Sequence, residues 1–153
     1  QPNHGKSDYA FIEYLEAFNI HNIVDQYRKY VKVLGISDPR LDLYVIAFRS
    51  ILHEEVQESE EKRSQLAIID KESHKEANIS GGLLKYWYGT PDDIHAQNLA
   101  TCWWVNQADA KRGGGGTAHK EGMSRVKGWY KKWEVEEYSL QITEDDFTLT
   151  NLK

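Results

Sequence analysis

Ser-Asp-Pro-Arg-Leu-Asp-Leu-Tyr-Val-Ile-Ala-Phe-Arg-Ser-Ile-Leu-His-Glu-Glu-Val, residues 37–56, is the stretch whose periodicity assigns the fold class. Leu41, Tyr44, Val45, Phe48, Ile51, Leu52 and Val56 recur at the three- and four-residue spacing of one helical face. Ser37-Asp38-Pro39 fits a helix start, with a capping side chain, an acid near the positive end and a proline in the first turn. Residues 57–65 are all polar or charged, so a joint is expected near 57–64. Leu66, Ile68 and Ile69 then resume the pattern until Gly81-Gly82.

The same period extends outward on both sides. Tyr9, Phe11, Ile12, Leu15 and Phe18 predict a short first helix, capped by Ser7 or Asp8. Ile20, Ile23, Val24, Tyr27, Tyr30, Val31 and Leu34 predict a second, stopped by Gly35. Leu83–Tyr88 is an aromatic cluster closed by Gly89. Thr90-Pro91-Asp92-Asp93 predicts a helix carrying Ile94, Leu99, Cys102, Trp103 and Val105. Gly113–Gly116 reads as a flexible loop, and Thr117 as the cap of a last helix with Met123, Val126, Tyr130 and Trp133 on one stripe. Only at the C-terminus does the period change. Tyr138, Leu140 and Ile142, then Phe147 and Leu149, alternate with polar residues around Thr143-Glu144-Asp145-Asp146, which predicts a β-hairpin, with a short final helix capped by Thr143 as the competitor. The expected fold is mainly α: residues 1–153 as one helical domain, a compact bundle of five or six helices with a short C-terminal β-hairpin or extended tail.

Charge is segregated. Residues 111–133 hold seven Lys/Arg against one Glu, a charge of +6; with a formal total of −5, the other 130 residues carry −11. On a helix, Lys120, Lys127 and Lys131 would form one ridge, with Arg125 and Lys132 on the far side. Such a ridge can follow successive phosphates, while Trp129, Tyr130 and Trp133 stack on bases or pack inward. Lys111, Arg112 and the glycine loop add reach. The functional expectation is therefore a non-enzymatic, self-associating module that binds nucleic acid, RNA included, without sequence preference, as a coat, nucleocapsid or scaffold component does. The competing account is a solvated lysine face with the tryptophans in the core.

Two further readings stand beside it. A protein-interaction domain would use Tyr86-Trp87-Tyr88 and Trp103-Trp104, and the acidic run Glu54–Glu61 could meet the basic segment of a second copy. A small-molecule or metal-dependent enzyme would draw on His53, Glu54, Glu55, Glu58, Glu72, His74, Glu76, His95 and His119.

Motif chemistry narrows the enzyme classes. The glycine run lacks the Lys of a P-loop, His53-Glu54-Glu55 lacks the second His of a zincin helix, and no Glu lies three residues before His53, His74 or His95 as a di-iron bundle needs. There is no Gly-x-Ser-x-Gly elbow, and Cys102 reads as a buried structural thiol. No cofactor, metal site or catalytic residue is expected. Nothing approaches the ~20 apolar residues of a membrane span, and a basic-helix membrane binder ranks last because the apolar stripe is expected to face the core. One cysteine suits a reducing, intracellular setting, cytoplasmic or nuclear. A start at Gln1 reads as a trimmed chain, so secretion stays open; Asn78-Ile79-Ser80 fits a glycosylation triplet. Neither the capping signals nor the glycine run identifies a family.

Overall fold

Residues 40–52 do not form a helix. In the computed structural model, which describes residues 20–89, 91 and 96–152, they are strand β1 (Arg40–Leu52), the middle of a five-stranded antiparallel sheet. Asp38 takes φ 51°, a left-handed turn that leads Pro39 into the strand and does not cap a helix. The helical spacing misled because β1 is covered on both faces. Val45 and Ala47 are buried on one side, Tyr44 and Ser50 on the other, so the alternation of a half-buried strand is missing.

The remaining elements follow in order. Helix α1 (Ile20–Leu34) precedes β1. After it come a single turn α2 (Glu54–Gln57), the long α3 (Glu60–Ser80), strands β2 (Leu83–Tyr88) and β3 (Gln97–Trp104), and helices α4 (Gln107–Gly113) and α5 (Thr117–Val126). A 3-10 turn at Lys127–Trp129 leads into β4 (Tyr130–Thr143) and β5 (Phe147–Asn151). The sheet order is β2-β3-β1-β4-β5. Across it Ile46 lies opposite Cys102 and Glu137, and Cys102 opposite Tyr86.

Each face of the sheet carries helices. Ile20 and Val24 of α1 pack on Val45, Ala47, Leu99, Trp103, Tyr138, Leu140 and Ile142. On the opposite face Ala77 of α3 and Ala110 of α4 pack on Tyr44 and Trp104, with Ile46, Leu83 and Cys102 against them. Ser59 caps α3, its hydroxyl accepting from the Lys62 N–H at 3.2 Å, and Glu60 and Glu61 complement the positive helix end. Helix α2 gives way to α3 at Glu58-Ser59.

The mainly α bundle is therefore replaced by an α+β fold. The segment expected to be helical through Leu99 and Trp103 is β3, and the aromatic cluster before it is β2, both with side chains packed on two sides. The last helix stops at Val126; Lys131 and Trp133 stand on a strand, so no lysine ridge spans residues 120–131 on one helix. The glycine run is not a free tether: Gly113 closes α4 and Gly116 precedes α5, and a Cβ at Gly113 would lie 2.8 Å from Cζ3 of Trp104. The final alternation does form a hairpin, Ile142 opposite Phe147 and Leu140 opposite Leu149. The helix expected over residues 9–18, its cap, and the Thr90 and 92–95 start lie outside the described residues. No described helix is long and apolar enough to cross a membrane.

Candidate functional site

The chemistry-bearing side chains collect where α3 lies over the sheet. Leu66, Ile69, Asp70, Ser73 and Ala77 form the less exposed stripe of α3. Glu76 lies on it too, turned to α5; Asp70 accepts a hydrogen bond from the Tyr86 hydroxyl of β2 at 2.7 Å. Beside this pair stand Cys102, opposite Tyr86 on β3, and Tyr130, at the start of β4. The His74 ring, one turn along α3, lies 5.1 Å from the Tyr86 ring, and the Tyr88 ring lies 5.7 Å from it. His74 and Tyr88 are exposed, so the cluster opens to solvent along the β2 edge.

Burial and the Asp70 charge act together on the neighbouring acids. Both push the Tyr86 and Tyr130 phenols above their ordinary range, burial most. Burial, then Asp70, lifts the Cys102 thiol to about 12. The phenols therefore stay neutral donors at physiological pH, and the thiol is no thiolate nucleophile. Alongside, burial and then a hydrogen bond to Glu137 raise the Tyr44 phenol to about 12. The arrangement is a carboxylate set among neutral hydrogen-bond donors, which can take a proton from a weakly acidic substrate and stabilise the anion left behind.

Among the described residues, two buried polar atoms on this face have no hydrogen-bond partner: the amide oxygen Oδ1 of Asn98 and the indole Nε1 of Trp104. The opposite face holds a separate polar group, in which Glu136 accepts from the buried Arg49 and from the Tyr138 hydroxyl.

The basic and aromatic residues singled out in the sequence lie elsewhere. Lys111 and Arg112 end α4, where Arg112 pairs with Asp109 at 2.5 Å and donates to the Ser80 carbonyl at 3.3 Å. Lys120 and Arg125 are exposed on α5, and Lys127 on the turn that follows. Trp129 lies 5.6 Å beneath the Lys62 ammonium. Lys131 is exposed on β4, and Lys132 pairs with Glu134 at 3.3 Å. The Trp133 ring is 4.9 Å from Tyr130 and 5.6 Å from Phe48. Only Tyr130 of this set joins the Asp70 cluster.

Among the other candidates, Trp103 and Trp104 are buried and present no outer surface to a protein partner, whereas Tyr88 is exposed. His53, Glu54 and Glu55 line a shallow depression with Lys131; Glu72 and His74 line another along α3. Glu76 accepts the Ala118 and His119 N–H groups at 2.7 and 3.3 Å, an N-terminal clamp for α5. Burial lowers the His119 pKa, against the opposing pull of Glu76. His95 lies outside the described residues. Among the described residues no three His, Cys, Asp or Glu converge to hold a metal. Asp70 escaped the sequence reading. Its signal was an acid beside the apolar residues Leu66, Ile69 and Ala77.

The PB2B2.08-like family profile matches residues 3–152, so the chain belongs to that family. It is 53% identical over 136 residues to UPF0643 protein PB2B2.08 of Schizosaccharomyces pombe, covering 89% of this chain and 62% of that protein. The chain thus spans about three fifths of the length of this curated relative. In fold it is similar to SnoaB of Streptomyces nogalater, described as a cofactor-independent oxygenase, at TM-score 0.50 and 8% identity, covering 62% of this chain and 89% of that one. It is also similar to a candidate antibiotic biosynthesis monooxygenase from Nitrosomonas europaea (TM-score 0.50, 8% identity, 71% and 88% of the chains). Protein SO0527 of Shewanella oneidensis has the same fold (TM-score 0.51, 16% identity, 69% and 97%). The shared fold is the ferredoxin-like α+β arrangement of such monooxygenases. It overturns the expectation of a helical, RNA-binding coat or nucleocapsid module, which required a continuous basic helix that the β4 strand replaces.

Proposed function

We propose that this member of the PB2B2.08-like family is a small-molecule enzyme whose reaction centre is the Asp70–Tyr86 pair. Asp70 takes a proton from a carbon acid or phenol, and Tyr86 and Tyr130 hydrogen-bond the anion that forms. The single observation carrying this reading is the 2.7 Å bond from Tyr86 to Asp70, within a cluster of buried, neutral acids. The fold of SnoaB, described as a cofactor-independent oxygenase, supports the further step. Without a cofactor, molecular oxygen must take its electrons from the substrate, and only an electron-rich carbanion or phenolate gives them up readily. Generating that anion is the task the Asp70 cluster suits.

The test is substrate-dependent oxygen uptake by the purified protein with a panel of 1,3-diketones, hydroquinones and polycyclic phenols. Uptake that falls about a hundredfold or more in Asp70→Asn, and less steeply in Tyr86→Phe, supports the reading. Uptake unchanged in folded Asp70→Asn refutes it.

Self-association is a second reading, supported by the exposed apolar end of α1. Val33 is 85% exposed, with Tyr30, Leu34 and Ile36 beside it in sequence, a patch a lone molecule gains nothing from exposing. Light scattering that reports a dimer, returned to monomer by Val33→Glu, supports it; a monomer at every concentration opposes it.

A further inference from the structure

Trp104 is 3% exposed, yet among the described residues no acceptor reaches its indole N–H. Leaving such a donor unpaired in the interior costs free energy, and native proteins rarely tolerate it without a use. The benzo edge of the ring packs on Gly113, which puts the pyrrole N–H toward the other end of the ring, away from that contact. Trp104 belongs to the packed group of Tyr44, Ala77 and Ala110, and Ile46 and Cys102 lie against it. Cys102 feels the Asp70 charge and sits opposite Tyr86 in the sheet. Trp104 is two residues from Cys102 on the same strand, so both side chains face the same side. The donor, without an acceptor among the described residues, thus stands on the same face of β3 as Cys102, two residues along from the position opposite Tyr86, the partner of Asp70.

We propose that Trp104 Nε1 is the oxyanion donor of this site, and that the substrate is a ketone: a carbon acid whose carbonyl oxygen accepts the indole N–H while Asp70 takes the proton from the adjacent carbon. The inference rests on the reading of Asp70 as the base. The step balances within the substrate. The C–H bond breaks, the proton passes to the Asp70 carboxylate, and the electron pair moves through the new C=C bond onto the carbonyl oxygen. No redox change accompanies it. An unpaired neutral N–H suits this role because its hydrogen bond strengthens as charge grows on the oxygen, while nothing competes for it beforehand.

The probe is p-nitrophenolate, an oxyanion on a flat ring whose protonation is visible by absorbance. It is titrated into ¹⁵N-labelled protein while the five tryptophan indole resonances and the backbone amides of Tyr86 and Cys102 are followed. The expected result is a saturable downfield shift of the Trp104 indole proton together with shifts at Tyr86 and Cys102. Trp104→Phe should bind the anion roughly ten- to a hundredfold more weakly and the neutral phenol nearly as before. Shifts at Tyr86 and Cys102 with an unmoved Trp104 indole leave the site standing and overturn the donor assignment. No shift at any of the three overturns the Asp70 site and this inference with it. The indole readout uses the unaltered protein, so it decides the matter even where Trp104→Phe does not fold.

Discussion

Replacing Gly113 with alanine sets two effects of opposite sign against each other. Gly113 is the last residue of α4 and has no positive φ, so alanine gains up to about 1 kcal/mol of helix propensity there. The new methyl has nowhere to go. It would lie 2.8 Å from Cζ3 of Trp104 and 3.1 Å from the Ser80 hydroxyl, and the indole cannot retreat because Tyr44, Ala77 and Ala110 hold it. Overpacking a fixed ring costs about 1–3 kcal/mol. The clash wins, and a net loss of about 1–2 kcal/mol is expected. Gly128→Ala is the control, since no heavy atom lies within 4 Å of its added Cβ and its φ is not positive. It should be neutral or more stable by about 0.5–1 kcal/mol. Equilibrium urea unfolding reads both as midpoint shifts at constant slope. A Gly113→Ala protein as stable as the parent would show that α4 does not close on Trp104, and the packing of that face would be wrong.

Two other perturbations follow from buried chemistry. Arg49→Ala leaves the half-buried Glu136 carboxylate with the Tyr138 hydroxyl and should cost about 1–3 kcal/mol in urea unfolding, whereas Arg49→Met combined with Glu136→Leu should recover most of that; equal losses in both would contradict the pairing. Stability should also fall in alkali. The Cys102 and Tyr44 pKa values are raised in the fold from ordinary values of 9.0 and 10.0 to about 12, so the neutral forms stabilise it fully below pH 9 and that contribution is lost as pH rises toward 12. Thermal midpoints that hold steady across this window would refute the burial of these groups.

Part of this architecture is legible in the sequence. Ile20 to Leu34 reads as a helix because one side of α1 is wet, leaving a clean 3.6-residue stripe ended by Gly35. Tyr138, Leu140 and Ile142 read as a strand because their neighbours Ser139 and Gln141 are more exposed on the other face. β1 and β3 were not legible for the same physical reason in reverse. With helices on both sides of the sheet, Leu43 through Phe48 and Leu99 through Trp104, interrupted only by the buried Thr101, have no polar face, and such a run fits either period. Once β1 is taken as helical, the basic segment becomes a helix too, and Lys120, Lys127 and Lys131 fall into an alignment that the turn at Lys127–Trp129 destroys. The Asp70 site was hidden for a different reason. Its partners come from α3, β2, β3 and β4, and no local spacing joins Asp70 to Tyr86, Cys102 and Tyr130; only the sheet register does.

The central claim is that Asp70 acts as a base on a bound carbon acid. It is tested most directly without oxygen, by following exchange of the acidic C–H of a cyclic 1,3-diketone for deuterium in D₂O by proton NMR under anaerobic conditions. The account predicts exchange accelerated by the unaltered protein and returned to the buffer rate by Asp70→Asn. Equal exchange rates with the protein and its Asp70→Asn variant would contradict it.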